Sequence, residues 1–279
     1  MNTFPNSFYA RTGRGELVFF TNRQLRSPIT INLDTTSDLE RLVRPLEPLS
    51  AGGTEIHVGA DIVVELGSAS VYRDRIEPVG EVSSGFTRVG ESLRVASFVL
   101  GITDTSQSVL DPHALSHSRI VEFVSNGIMP LRCSGTEGRF RDAALKIVGL
   151  GSGFTPSGDD TLGGFLAAYN SLARAIERVA ILLDSGLLEA RTNWISARLL
   201  DYMQRLILDE QLHQLLESAA NGDRDAFVDA LETLFPRGHT SGIDIAVGTI
   251  LALSIVRDVA LRKEETETIV RTLGLSDLA

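Results

Sequence analysis

Sulfur and aromatic weight are both scarce in this sequence. Cys133 is its one cysteine, so no disulfide forms within the chain and a reducing compartment is the expectation. Tryptophan occurs once, at Trp194, and reads as a core residue; aromatic residues make up only 6%. Cations are in the minority: 26 Lys and Arg stand against 36 Asp and Glu, for a formal net charge of −10. That balance argues against a nucleic-acid partner, which needs a basic surface. It leaves room for a small anion at a locally positive site. Long apolar runs are also missing. Met1 to Glu16 carries Pro5, Arg11 and Arg14 but no stretch of signal-peptide length. The most apolar late stretch, residues 245–256, is too short to span a bilayer and reads as a buried helix. A cytoplasmic protein without a membrane partner is the expectation. With 279 residues, 43% of them hydrophobic, the chain is long enough for two modest domains.

The first hundred residues read as strands. Residues 17–21, 29–33, 55–58, 61–66, 69–72 and 93–100 are short and rich in β-branched or aromatic side chains, with Gly, Pro and Asp between them. Residues 38–48 suit a short helix and turn. The pattern changes at Asp111-Pro112, a good N-cap followed by a residue suited to the first helical position. Beyond it, apolar residues recur at three and four. Helices are predicted over 112–125, 136–148, 159–183 with a break near Ala175, 192–207, 209–219, 223–234, 242–257 and 264–273. The expected fold is α+β. A β-rich domain, barrel- or sandwich-like, covers residues 1–108, and an α-helical domain covers 109–279.

The helical part contains an internal echo. Residues 157–164 read Ser-Gly-Asp-Asp-Thr-Leu-Gly-Gly and residues 241–248 read Ser-Gly-Ile-Asp-Ile-Ala-Val-Gly. Both are Ser-Gly-x-Asp-x-x-x-Gly, and both run into an apolar helix. In each, Ser is positioned to cap the helix, Gly allows a tight turn, and Asp in the first turn interacts well with the helix dipole. Gly164 and Gly248 lie four residues after Asp160 and Asp244 and share a helix face with them. Small residues there would let the two helices approach closely.

The stretch Gly149-Leu-Gly-Ser-Gly-Phe-Thr-Pro-Ser-Gly-Asp-Asp160, followed by Leu162-Gly-Gly164, resembles the signature of a bacterial family of long-unassigned function. That family includes the AllH-type subunit of oxamate carbamoyltransferase, from anaerobic allantoin breakdown. Gly238-His-Thr-Ser-Gly-x-Asp244 resembles its second signature, and Thr192-Asn-Trp-Ile-Ser196 with Leu199-Leu200 a third. The resemblance covers about residues 145–253. It implies a subunit of a carbamoyltransferase that works with partner subunits on a small anionic substrate: phosphate, carbamoyl phosphate or a carboxylate. In the family, the segment after Leu200 usually carries small residues. Here it reads Asp201-Tyr-Met-Gln-Arg-Leu206, and if that stretch lines the pocket the substrate differs.

The residues permit this chemistry. A Gly-rich loop feeding a helix N-terminus presents backbone N–H groups to an anion. Gly149, Gly151, Ser152, Gly153, Thr155, Ser157, Gly158 and Asp159 are the candidates at the first loop, with Thr240, Ser241 and Gly242 at the second and Thr192 and Ser196 beside them. The same residues also make sense as turns and caps. Asp160 and its counterpart Asp244 form the better facing pair, because Asp159 corresponds to Ile243. Such a pair can share a proton, orient a substrate amide, or hold Mg²⁺. No cofactor is required by the sequence, and Mg²⁺ at Asp160 and Asp244 is the one metal considered at the loops. His239 is a candidate acid–base or phosphate donor. Arg132 and Arg237 are candidate anion clamps. His113 and His117 have zinc-capable spacing, but the Glu of the corresponding metalloprotease motif is absent. Two other functions stay open: a noncatalytic subunit that binds a small anion and supports a partner, and an independent Mg²⁺-dependent hydrolase or lyase.

Overall fold

Alternation along a strand decides what the N-terminal region buries. In β2 (Ser7–Arg11), Phe8 and Ala10 turn inward while Ser7 and Tyr9 stay half-buried. β2 pairs antiparallel with β1 (Asn2–Phe4) and with β3 (Leu17–Thr21), and β3 pairs parallel with β4 (Thr30–Asn32). The register sets Phe8 opposite Phe20, and their rings stack at 4.5 Å. Asp38 caps the short α1 (Leu39–Leu42), accepting from the Glu40 N–H at 3.1 Å. A second, antiparallel sheet follows in the order β5 (Leu49–Gly52), β6 (Glu55–Val58), β7 (Ile62–Glu65). Phe8, Ala10 and Phe20 from the first sheet, Leu39 and Val43 from the α1 segment, and Ile56 and Val58 from the second share one core. Among the described residues the strands form two sheets, neither of them closed into a barrel, in an α+β chain. Residues 69–72 form no strand.

The computed structural model describes residues 2–44, 48–72 and 115–272. The chain divides into two compact units, Met1–Arg75 with Ile207–Glu210, and Ile76–Leu206 with Gln211–Ala279. The expected boundary at residue 108, the expected strand 93–100, the start of the helix predicted over 112–125 and His113 lie outside the described residues.

The described part of the second unit is helical. α2 (Leu115–Phe123) runs on through a π-turn and a 3₁₀ turn to Arg132, and α3 (Glu137–Ala144) follows. Its centre is α4 (Ser157–Leu172), every one of whose 16 residues is buried. Phe165 of α4 stacks on Phe140 at 5.0 Å and on Tyr169 at 5.9 Å. The sequence predicts helix as far as residue 183, but α4 stops at Leu172 and a 3₁₀ turn carries the chain to Ile176. Glu177 then takes a left-handed conformation at φ 56°, which ends the helical path. Asn170 binds the returning chain, accepting from the Ile181 N–H at 2.7 Å and donating to the carbonyls of Ile181 and Gln204 at 2.9 and 2.8 Å.

α5 (Ser185–Glu189), α6 (Trp194–Gln204), α7 (Glu210–Asn221) and α8 (Arg224–Leu234) come next, with Asp184, Asn193 and Asp223 as side-chain N-caps of α5, α6 and α8. The last helix, α9 (Ser241–Thr272), is continuous where two helices are predicted. Residues 258–263 contain neither Gly nor Pro, so nothing in them interrupts the helix. Residues 245–256 sit largely inside, as expected of a core helix. Among the described residues, no helix is long and apolar enough to cross a membrane.

Candidate functional site

The two Ser-Gly-x-Asp motifs open α4 and α9, and these helices make the most extensive helix–helix contact of the unit. Their glycines are what let them meet. A Cβ on Gly164 would collide with the Ile245 carbonyl, and a Cβ on Gly248 would collide with the Thr161 carbonyl. Thr161 and Ile245 occupy matching positions three residues before their glycines, so the contact is reciprocal. Gly158 and Gly242 also play equivalent parts. The Gly158 N–H donates to the Leu150 carbonyl at 2.8 Å and the Gly242 N–H to the Arg237 carbonyl at 3.0 Å. Each is pressed against preceding backbone, at Ile147 and Leu234, where no side chain fits. Ser157, expected as an N-cap, is instead the first helical residue: Pro156 holds the N-cap position, and its carbonyl accepts from the N–H groups of Asp159 and Asp160.

This packing brings Asp160 and Asp244 together. Asp160 is 8% exposed and Asp244 0%. Thr155 donates its hydroxyl to Asp160 Oδ2 at 2.9 Å, and the Thr155 and Ser241 hydroxyl oxygens are 2.9 Å apart. Burial pushes the Asp160 carboxyl up to about 7. Hydrogen bonds from Ser241 and Thr155 oppose that rise, the Asp244 charge adds to it, and the Arg237 guanidinium opposes it. Thr155, Ser241, Arg237 and Thr240 are half-buried, whereas His239 is exposed. The arrangement is a buried acid pair under a lid of hydroxyls, with a cation close by. Arg237, an anion-clamp candidate in the sequence, thus acts on Asp160. Among the described residues, no three His, Cys, Asp or Glu side chains gather as metal ligands.

Asp159 has different company. Its Oδ1 accepts from the Gly149 N–H at 2.6 Å, and its Oδ2 accepts from the hydroxyls of Thr192 at 2.5 Å and Ser196 at 2.6 Å. Burial raises its pKa, opposed by the bonds from Ser196, Thr192 and Gly149. Four expected substrate contacts, Gly149, Thr192, Ser196 and Asp159, are thus joined, the first three donating to the fourth. The loop between them turns through Gly149, Gly151 and Gly153 at φ 79°, 114° and 101°, which only glycine adopts without strain. Gly151, Ser152 and Gly153 are exposed.

The segment 201–206 is spent on packing. Asp201 Oδ1 accepts from Ser185, Gln204 and Arg205 at 2.9, 2.8 and 3.1 Å, and Met203 lies against Gly163. A groove lined by Gln214, Glu217, Asn221, Asp223 and Asp229 shares no residue with either loop.

No curated protein and no solved structure matches this chain significantly. A family does. Residues 147–253, which hold both loops and the Thr192–Ser196 turn between them, match the sequence model of the family described as oxamate carbamoyltransferase subunit AllH.

Proposed function

We propose that the chain is a subunit of an oxamate carbamoyltransferase-like enzyme and contributes the loops of 149–157 and 238–244 to its site. The observation that carries this reading is the family match over residues 147–253, within which the two loop–helix starts converge on Asp160 and Asp244. The reaction would move a carbamoyl group between phosphate and the nitrogen of an amide such as oxamate. The amide nitrogen attacks the carbamoyl carbonyl carbon, the carbon–oxygen bond to phosphate breaks, and phosphate leaves. The nitrogen's proton passes to a carboxylate oxygen of Asp160, whose carboxyl, pushed up to about 7, suits both accepting and returning it, with Asp244 beside it. The N–H groups of the exposed residues Gly151, Ser152 and Gly153 would hold the phosphoryl group at the start of α4, with His239 and Ser157 as further donors. Donors from the loops, among them Thr155, Thr240 and Ser241, would meet the negative charge that develops on the carbonyl oxygen. A carboxylate already bonded to two hydroxyls, as Asp160 is to those of Thr155 and Ser241, suits proton transfer better than Mg²⁺, which takes about six oxygen ligands. Partner subunits would complete the enzyme.

One observation favours a second reading, in which this subunit binds an anion without taking part in the chemistry: Asp244 is fully buried. Thermal unfolding of the full chain with phosphate, carbamoyl phosphate, oxamate and Mg²⁺, singly and together, tests the site. A ligand bound only by the folded state adds about 2.7 kcal/mol at a hundred times its dissociation constant. A rise in midpoint with phosphate and carbamoyl phosphate is expected, lost when Gly151 and Gly153 are replaced. Absence of any rise, both for the chain alone and for the assembled complex, would remove the anion site. Activity without partners that is abolished by chelator would point instead to a Mg²⁺-dependent hydrolase or lyase.

A further inference from the structure

The loop 149–157 is held near both ends by the residues that open α6. At its start, the Gly149 N–H goes to Asp159, which in turn takes the hydroxyls of Thr192 and Ser196. A Cβ on Gly149 would collide with the Arg191 carbonyl, so the loop lies directly on the backbone leading into α6. Further along, the Asn193 side-chain N–H donates to the Phe154 carbonyl at 2.8 Å. The oxygen of the same amide caps α6, accepting from the N–H groups of Ile195 and Ser196 at 3.2 and 3.0 Å. Five consecutive residues thus grip the loop twice, and between the grips Gly151, Ser152 and Gly153 face solvent.

We propose that residues 192–196 are a clasp that fixes the shape of the 149–157 loop, with Asp159 and Asn193 as positioning residues that do not touch the ligand. The ligand side of this proposal rests on the reading of that loop as an anion site. The clasp needs the hydrogen-bond pattern of Asp159 and not its charge. An amide at 159 keeps all three contacts. Its oxygen accepts from Gly149, and its NH₂ donates to the two hydroxyls, which rotate to accept. At 193 the requirement is reversed. A carboxylate there still caps α6 but has no N–H for the Phe154 carbonyl.

The test compares the full-length protein with its Asp159→Asn and Asn193→Asp variants. Amide hydrogen exchange over residues 149–158 reports the loop, since the N–H groups of Gly149, Leu150 and Gly158 are all bonded in it. Phosphate titration followed by thermal unfolding reports the ligand. D159N is expected to keep slow exchange and to bind phosphate within about twofold of the parent. N193D is expected to exchange faster and to bind phosphate about tenfold or more weakly, the size of loss that follows misplacement of a binding element. Loss of phosphate binding in D159N with exchange still slow would mean that the carboxylate meets the ligand, and would overturn the proposal. So would an N193D protein with exchange and affinity unchanged, and that variant decides alone if D159N fails to fold. If the parent binds no phosphate, the anion reading fails while the exchange data still judge the clasp.

Discussion

The hydroxyl oxygens of Thr155 and Ser241 lie 2.9 Å apart although the residues are 86 positions apart in the chain. Each stands at the opening of a helix, and each bonds to Asp160. One buried carboxyl is therefore governed by two remote segments at once. Hydroxyl groups suit that position because they donate to a carboxylate and accept from a carboxylic acid, so both protonation states of Asp160 are accommodated without movement of the chain.

The protonation of Asp160 has a measurable sign. Its folded value is about 7, against about 3.9 for an unfolded Asp. Asp159 is shifted in the same direction. Between about pH 4 and 7 the folded chain holds protons that the unfolded chain has released. This contribution is complete below about pH 4 and is lost as the pH rises through 7. Asp160→Asn removes one of the two titrations. Its unfolding midpoint is expected to fall less than that of the parent between pH 5 and pH 8. Parallel curves would show that Asp160 titrates normally.

The close approach of α4 and α9 depends on two hydrogen atoms in place of methyl groups. Gly164→Ala and Gly248→Ala each set a Cβ against a carbonyl oxygen of the facing helix. Each is expected to cost about 1–3 kcal/mol or more, measured by chemical denaturation. Gly138 in α3 has nothing within 4 Å of a Cβ, so Gly138→Ala is expected to be neutral or to stabilise by up to about 1 kcal/mol. Similar results at all three positions would contradict the packing argument.

Asn170 offers a test of the turn that follows α4. Its NH₂ donates to two carbonyls and its oxygen accepts one N–H, all in the interior. Asn170→Asp faces two carbonyl oxygens with a carboxyl group that lacks those donors. A loss of about 3 kcal/mol or more in denaturant unfolding is expected. A smaller effect than that of Asn170→Ala would argue against this bonding.

In the assembled complex, Asp160→Asn and Asp244→Asn are each expected to lower turnover by about a hundredfold or more, the scale of general acid–base catalysis. Full turnover in folded variants that still bind phosphate would favour the noncatalytic reading.

The convergence of the two loops was legible because its cause is local. Small residues four positions after an Asp mark a helix face made for close approach, and Gly164 and Gly248 are indeed filled by backbone of the opposite helix. The partners of Asp159 were not legible. Thr192 and Ser196 follow it by 33 and 37 residues, and nothing in their identity distinguishes a hydroxyl turned to a ligand from one turned to a carboxylate. Among the strands, Leu17–Thr21 and Glu55–Val58 stood out through their apolar and β-branched residues. Asn2–Phe4 and Leu49–Gly52 did not, because small and polar residues predominate in them and pairing alone makes them strands.

A helix buried on every side depends on its neighbours, and α4 takes one whole flank of its cover from a helix that begins only at Ser241. As the chain emerges from the ribosome, α4 must wait for α5 to α8 before α9 can dock. During that interval its Thr161 and Gly164 surface lacks its final cover, and the acid pair does not yet exist. The order of synthesis thus sets a window in which this domain is open to aggregation or to a chaperone, and the window closes with the same contact that assembles the site.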